Sequence, residues 1–261
     1  MKVSIITVVY NGVATLRDCI ESVLGQTHAN IEYIIVDGGS TDGTIDLIGG
    51  YGPKIARFIT EPDKGLYDAM NKGITLATGE VIGLLNADDF YRHNSVITNV
   101  VALFEQSGSD AVYGDMLYVD RADTTIVKRY WRSGNYRAGA FLWGWMPGHL
   151  SFFARRQLYD RYGPFRLDLG SAADYELMLR FIHKHGISLA YMNETTIVMR
   201  EGGVSNGSLK NWLRGNREDR RAWQLNNLKP YFFTLYLKPL RKISQLFLRD
   251  NQADTKLPLA K

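Results

Sequence analysis

The sequence predicts an α/β fold: a mainly parallel sheet flanked by helices, with a helical C-terminal extension. Three observations carry that prediction. Short apolar runs alternate with stretches of helical spacing through the first half of the chain. Each run ends in a turn bearing Gly, Asn or Asp. Parallel strands require right-handed helical crossovers, and such crossovers gather the strand-end turns on one rim of the sheet.

The elements follow in order. Residues 3–9 read as a first strand, closed by Tyr10-Asn11-Gly12, and no leader peptide is expected before it. Residues 15–24 form a helix on the spacing of Leu16, Ile20, Val23 and Leu24. Residues 31–36 are a second strand, followed by the Gly-rich turn 37–44 and a short helix near 45–48. A third strand at 55–60 and a helix at 67–77 lead to Gly79 and the apolar run 81–85, which reads as a buried strand. Beyond it, 95–105 is helical, 110–119 and 125–130 are strands, and 141–153 is aromatic and Gly-rich. Helices at about 155–162 and 172–183 and an extended segment at 187–199 complete the domain. Its expected limits are 1–205, with halves 1–115 and 116–205, followed by a basic amphipathic extension, 206–250, and a disordered tail, 251–261.

Composition narrows the class. The chain of 261 residues is 45% hydrophobic and 22% charged, an ordinary globular balance, and no uncharged stretch reaches transmembrane length. Its single cysteine, Cys19, excludes an internal disulfide and a cysteine-built metal cluster, fits a reducing cytoplasm, and reads as a small buried apolar group. A net charge of +4 admits an anionic ligand or lipid surface without requiring either. There is no G-x-G-x-x-G after the first strand, no P-loop, no G-x-S-x-G and no nucleic-acid motif, so no nucleic-acid partner is expected.

The run 81–85 leads straight into Asn86-Ala87-Asp88-Asp89. Adjacent acids at a strand's carboxyl end repel each other unless a cation shares them. Hard oxygen donors suit Mg²⁺ or Mn²⁺, ions that also hold substrate phosphates. The plain alternative is an acidic turn capping the next helix. Asp37 stands at the second strand's end beside Gly38, Gly39 and Gly43, where a carboxylate would recognise a nucleoside. Thr41 and Asp42 read as caps, Tyr10 as a stacking or packed ring, and Lys64 as a phosphate contact or a solvated lysine. Asp174, opening the helix after Gly170-Ser171, is a general base or a dipole-favoured acid, with Glu176 as the fallback base. His149 leaves a structural, acceptor or metal role open.

Together these residues resemble the family 2 glycosyltransferases of GT-A fold. The matching segments are Ser4-Ile5-Ile6-Thr7-Val8-Val9-Tyr10-Asn11, Ile35-Val36-Asp37-Gly38-Gly39-Ser40-Thr41-Asp42-Gly43-Thr44, Asp63-Lys64-Gly65 with Tyr67-Asp68-Ala69-Met70-Asn71-Lys72-Gly73, and Leu85-Asn86-Ala87-Asp88-Asp89. Pro147-Gly148-His149 and Ala173-Asp174-Tyr175-Glu176 extend the likeness to about residue 205, toward bacterial enzymes of exopolysaccharide, capsule or O-antigen assembly.

The resemblance implies roles. Thr7, Tyr10, Asn11, Asp37, Lys64, Asn71 and Asp88 would line a nucleotide-sugar pocket, with Asp37 on the base. Asp89, with Asp88, would hold a divalent metal, Mn²⁺ or Mg²⁺, and Asp174 would be the base of an inverting transfer. His149, Glu176 and Arg200 would face the acceptor or belong to a closing loop at 200–205. The motif lacks the first Asp of a strict Asp-x-Asp. The Gln-x-x-Arg-Trp of processive synthases is absent, with Arg220-Arg221-Ala222-Trp223 only a loose echo, so a single transfer is expected. The expected partners are a nucleotide-sugar donor, a UDP-sugar by preference, and a glycan or polyprenyl-linked glycan acceptor. A second copy of the chain and an anionic membrane at the cytoplasmic face, met by the extension, are further candidates. Two other classes stay open: a non-catalytic nucleotide-sugar-binding subunit and a sugar-1-phosphate nucleotidyltransferase.

Overall fold

The computed structural model describes residues 1–202 and 209–245. Nine strands form one mixed sheet in the order β3-β2-β1-β4-β8-β6-β9-β5, with β7 paired to β6 outside that path. β1 (Val3–Val9) is apolar apart from Ser4 and Thr7, and every residue in it is buried. α1 (Val13–Leu24) lies on the sheet through Leu16, Cys19, Ile20 and Val23, the helical stripe that the sequence spacing predicts. β2 (Ile31–Asp37), α2 (Thr44–Gly49), β3 (Arg57–Thr60), α3 (Leu66–Leu76) and β4 (Val81–Asn86) follow. Strands β3, β2, β1 and β4 are all parallel. α3 sits close on β1: a methyl group placed on Gly73 would lie 2.3 Å from Ile6 Cγ2.

β4 is buried as expected, yet only one of its neighbours is parallel. Its other neighbour is the antiparallel β8 (Phe152–Arg155). The sequence reading expects an apolar strand after His149 but gives it no bounds, because β8 lies at the end of an aromatic stretch with no period-2 alternation. The two-residue β5 (Phe90–Tyr91) was also too short to be read. α4 (Val96–Ser107), β6 (Ala111–Val119), β7 (Val127–Trp131), α5 (Arg156–Tyr162), α6 (Ala173–Met178) and β9 (Leu189–Arg200) fall near their predicted places. α6 continues into a wider helical segment, Leu179–Lys184, and β6 pairs β9 in parallel.

The C-terminal extension packs on the domain. In α7 (Leu209–Leu225), Trp223 is fully buried and donates from Nε1 to the Tyr175 hydroxyl at 2.8 Å. In α8 (Thr234–Gln245), Thr234 donates to the Leu142 carbonyl at 2.7 Å, and Lys238 lies 3.9 Å over the Tyr175 ring. No helix among the described residues is long and apolar enough to cross a membrane. The domain boundary at 205/206, the loop beyond Gly202 and the expected disordered tail 251–261 lie outside the described residues.

Candidate active site

The parallel strands end in turns on one rim, and the candidate residues separate there into three groups. The first holds the turn after β2. Asp37 is fully buried, and its carboxylate accepts the amides of Gly39 (3.0 Å) and Ser40 (2.9 Å), the Thr60 hydroxyl (2.6 Å) and the Ser40 hydroxyl. Three of these bonds fall on Oδ2 and one on Oδ1, so Asp37 holds its own turn together. Asn11 also works within the fold: its amide donates to Ser40 Oγ (2.7 Å), and its side-chain oxygen accepts the Thr41 amide (2.9 Å). Asp42 caps as expected, accepting the amides of Thr44 and Val13 at 3.1 Å each. Thr7 works within the fold too. Side chains alternate along β1, and Thr7 falls on the α1 side, fully buried, 3.1 Å from the Tyr33 hydroxyl and 3.5 Å from Cys19 Sγ. The Cys19 thiol, buried and near the acid pair, is pushed up to about 12 and stays protonated.

Tyr10, by contrast, is 67% exposed at the end of β1. A methyl group placed on Gly38 would lie 2.9 Å from Asp63 Oδ2 and 3.4 Å from Tyr10 Cδ2. Glycine at 38 thus lets the Asp63 carboxylate close over the turn beside the Tyr10 ring. Asp63 Oδ1 accepts Lys72 Nζ at 2.6 Å, and Lys72 also meets Glu61 at 2.8 Å. These hydrogen bonds raise the Lys72 pKa further above its usual value. Lys72 is therefore the lysine bound into the β3–α3 loop. Lys64 is exposed, and its backbone amide donates to Asp68 at 2.9 Å.

The second group is the acid pair at the end of β4. Asp89 is 1% exposed, and its carboxylate accepts the Arg200 amide and the Asn86 side-chain amide, each at 3.2 Å. Burial, reinforced by the neighbouring Asp88, pushes its carboxyl well above the usual range. Asp88 is more open and faces Arg121 at 3.5 Å. Arg200, the last residue of β9, is buried rather than part of a lid. It donates to the Asp88 carbonyl (2.8 Å), pairs with Asp18 of α1 and lies 5.0 Å over Phe90. It clamps the acid turn, because β9 delivers its guanidinium directly behind that turn.

The third group surrounds Asp174, in the first turn of α6. Asp174 Oδ1 accepts the Tyr175 amide at 2.7 Å, and its Oδ2 lies 3.4 Å from His149 Nδ1. Burial, then the charge of Asp174, raises the Tyr67 pKa. Burial lowers the His149 pKa, and Asp174 opposes it. Nε2 of His149 is buried without a partner at the edge of a small cavity lined by Leu84, Phe152, Phe165 and Met178. Glu176 lies roughly 200° around the helix from Asp174 and points inward. It is ion-paired with Arg180 at 2.9 Å and bonded by Asn226 at 2.9 Å, so it does not serve as the fallback base. Asn71, one turn along α3 from Tyr67, exchanges two 2.9 Å hydrogen bonds with the Phe165 backbone. It pins that loop and does not line the donor pocket.

Tyr118 connects the second and third groups. Its cross-strand partner Arg129 stacks 3.8 Å over its ring. Its hydroxyl is pushed up to about 12, first by burial, while Arg129 opposes and the charges of both Asp89 and Asp174 add to the rise. Tyr118 therefore feels the charge of both acid centres. Tyr67, Asp63, Arg121 and Tyr118 were not singled out from the sequence. Only Tyr67 carried a signal there, one helical turn before Asn71.

Residues 4–162 match the profile of glycosyl transferase family 2, and the chain belongs to that family. It is 34% identical over 214 residues to PGL/p-HBAD biosynthesis glycosyltransferases of Mycobacterium bovis and Mycobacterium tuberculosis, a match covering 78% of each chain. A second Mycobacterium tuberculosis glycosyltransferase is 32% identical over 184 residues, 68% of each chain. In structure the chain is similar to residues 1–349 of S. aureus TarS in complex with UDP-GlcNAc. That match has a TM-score of 0.68 and 16% identity, over 91% of this chain and 69% of that one. It is also similar to the mannosyltransferase PcManGT of Pyrobaculum calidifontis in complex with GDP-Man and Mn²⁺. Here the TM-score is 0.62 with 18% identity, over 97% of this chain and 71% of that one. These likenesses show the GT-A fold expected from the sequence.

Proposed function

We propose that this glycosyltransferase moves one sugar from a nucleoside-diphosphate sugar, a UDP-sugar by preference, to a hydroxyl of a lipid-linked glycan, inverting the anomeric centre. The observation that supports this reading is the acid turn at the end of β4, where the buried Asn86 Oδ1 lacks a partner beside Asp89, together with Asp174 set against His149 at the start of α6. Asp174 accepts the Tyr175 amide on one oxygen and lies against His149, an imidazole whose pKa burial lowers, on the other. In that setting it accepts the acceptor hydroxyl's proton as the oxygen attacks C1. A single displacement from the side opposite the leaving diphosphate turns an α-linked donor into a β product. Arg200 fixes the acid turn, and holding donor and acceptor in one pocket supplies much of the remaining acceleration.

The acid turn fits a hard divalent cation. Asp89 is buried with a raised pKa and no cationic side chain on its carboxylate oxygens, and Asn86 Oδ1 is buried without a partner. Among the described residues no three His, Cys, Asp or Glu side chains converge, so the donor's phosphate oxygens would have to complete the shell. Asp88, Asp89 and the Asn86 amide oxygen would hold Mn²⁺ or Mg²⁺, which supplies Lewis acidity to the departing diphosphate when bound. PcManGT binds Mn²⁺ with GDP-Man, which supports the same arrangement here. On the donor side, Tyr10 stacks on the base and Asp63 takes the base-reading role expected of Asp37. The PGL/p-HBAD biosynthesis relatives favour a glycolipid-type acceptor. The enzyme would work in the cytoplasm, at the inner face of the membrane.

The test is nucleoside diphosphate release across a panel of UDP-, GDP- and dTDP-sugars with Mn²⁺, Mg²⁺ or EDTA. Release with one donor, lost with EDTA and in Asp174→Asn, is the expected result. Donor binding without release, even with lipid acceptors supplied, points instead to a nucleotide-sugar-binding subunit.

A further inference from the structure

Charge is unevenly spread along the chain. Residues 124–159 and 220–249 contain no Asp or Glu, yet hold thirteen of the Lys and Arg residues, so the rest of the chain is net acidic. The fold brings parts of the two stretches, 140–144 and 231–238, together. The turn Ala140–Trp143 packs against α8: Thr234 bonds the Leu142 carbonyl, and Gly144 abuts the Leu237–Lys238 backbone.

The outer side of this contact carries large exposed rings. Phe232 is 84% exposed, Trp143 57% and Tyr231 48%. Trp143 leans on Tyr231 at 6.3 Å and on Phe233 at 5.4 Å, so segments about ninety residues apart make one aromatic patch. Tyr236 and Leu240, one turn apart on α8, are also more than half exposed. Arg132, Arg137 and Lys229 are exposed in the adjoining segments. Trp and Tyr rings favour the headgroup layer, Phe and Leu reach the acyl boundary, and basic groups are drawn to anionic lipid. A protein partner would leave the absence of every acid over both stretches unexplained.

We propose that this face, formed by Trp143, Tyr231, Phe232, Tyr236 and Leu240, docks the enzyme on an anionic lipid bilayer. The inner side of α8 ties the docked face to the site: Leu235 is buried, and Lys238 covers Tyr175, the neighbour of Asp174. That connection matters for catalysis only if the lipid-linked acceptor reading holds; the docking itself does not depend on it.

The experiment is cosedimentation of the full chain with phosphatidylcholine vesicles, with and without phosphatidylglycerol, at low and high salt. Wild type is expected to bind the phosphatidylglycerol vesicles and to be partly released by salt. Phe232→Ser should weaken binding about tenfold, the worth of one buried aromatic ring. Arg137→Glu with Lys229→Glu should remove the salt-sensitive part. A thermal melt of each variant verifies folding, and Phe232 is exposed enough for its removal to leave the fold intact. Equal binding by wild type and Phe232→Ser overturns the proposal, as does equal binding to both vesicle types. Self-association without vesicles, lost in Phe232→Ser, would assign the face to a second copy instead. Vesicle binding together with a failed donor assay would overturn the functional reading and leave the docking intact.

Discussion

Asp89 and Asp174 are the same residue type, and their surroundings make them chemically different. Asp89 is buried at the end of β4, beside a second acid, with its oxygens directed by Asn86 and by the Arg200 backbone. Asp174 sits at a helix start, partly open, against a histidine whose pKa burial lowers. Burial with a like charge makes the first a place that gains from a cation. Partial exposure beside His149 suits the second to the role of base proposed above.

The largest expected effect comes from Asp174→Asn. It should lower kcat about a thousandfold and leave donor affinity nearly unchanged, read by single-turnover kinetics beside donor titration. Loss of donor binding in that variant would break the division of roles. Asp89→Asn should act the opposite way, weakening Mn²⁺ binding on the order of a hundredfold by calorimetry with donor diphosphate present. Arg200→Lys keeps the charge but loses the forked contact to the Asp88 carbonyl and Asp18. It should weaken metal binding roughly tenfold, and a circular dichroism spectrum should show the fold unchanged.

Asp63 and Asp37 make a second pair. Asp63→Asn should raise donor KM roughly tenfold and blur the preference among bases, with kcat held. Asp37→Asn should instead lower the melting temperature, since it breaks the turn. If Asp37→Asn changes base preference at full stability, the assignment reverses.

The smallest expected effect concerns His149. Its folded pKa is lowered, so the unfolded chain takes up the proton first. The stability that His149 contributes is present above its unfolded value, about 6.5, and is lost as pH falls below it. His149→Gln should flatten part of the acid loss of stability in urea melts. The burial-lowered His183 and His185 keep the remainder. The same variant should cost roughly tenfold in kcat through misplacement of Asp174.

The first half of the fold was legible because its strands and helices are sequential and each has one strong period. Val3–Val9, Leu16 with its helical partners, and Asn86-Ala87-Asp88-Asp89 all stand in local patterns. The place of β8 was not legible, since the strand reaches the sheet centre from 70 residues beyond β4 and pairs through Phe152–Arg155, which resembles any aromatic stretch. Asp37 shows a related limit. A strand-end acid beside glycines marks a turn and a ligand site equally well, and the hydrogen bonds of Ser40 and Thr60 establish the turn.

The sequence by itself determined the α/β class, the family, and the positions of the acid pair and of Asp174, because each rests on residues adjacent in the chain. The tertiary structure alone decided which groups meet. It closed Asp63 over Gly38, set Arg200 behind the acid turn and joined Trp143 to Tyr231 and Phe233. Those contacts join residues about 25 to more than 100 positions apart. Their free energies come from burial and directional hydrogen bonds that exist only once the sheet is assembled.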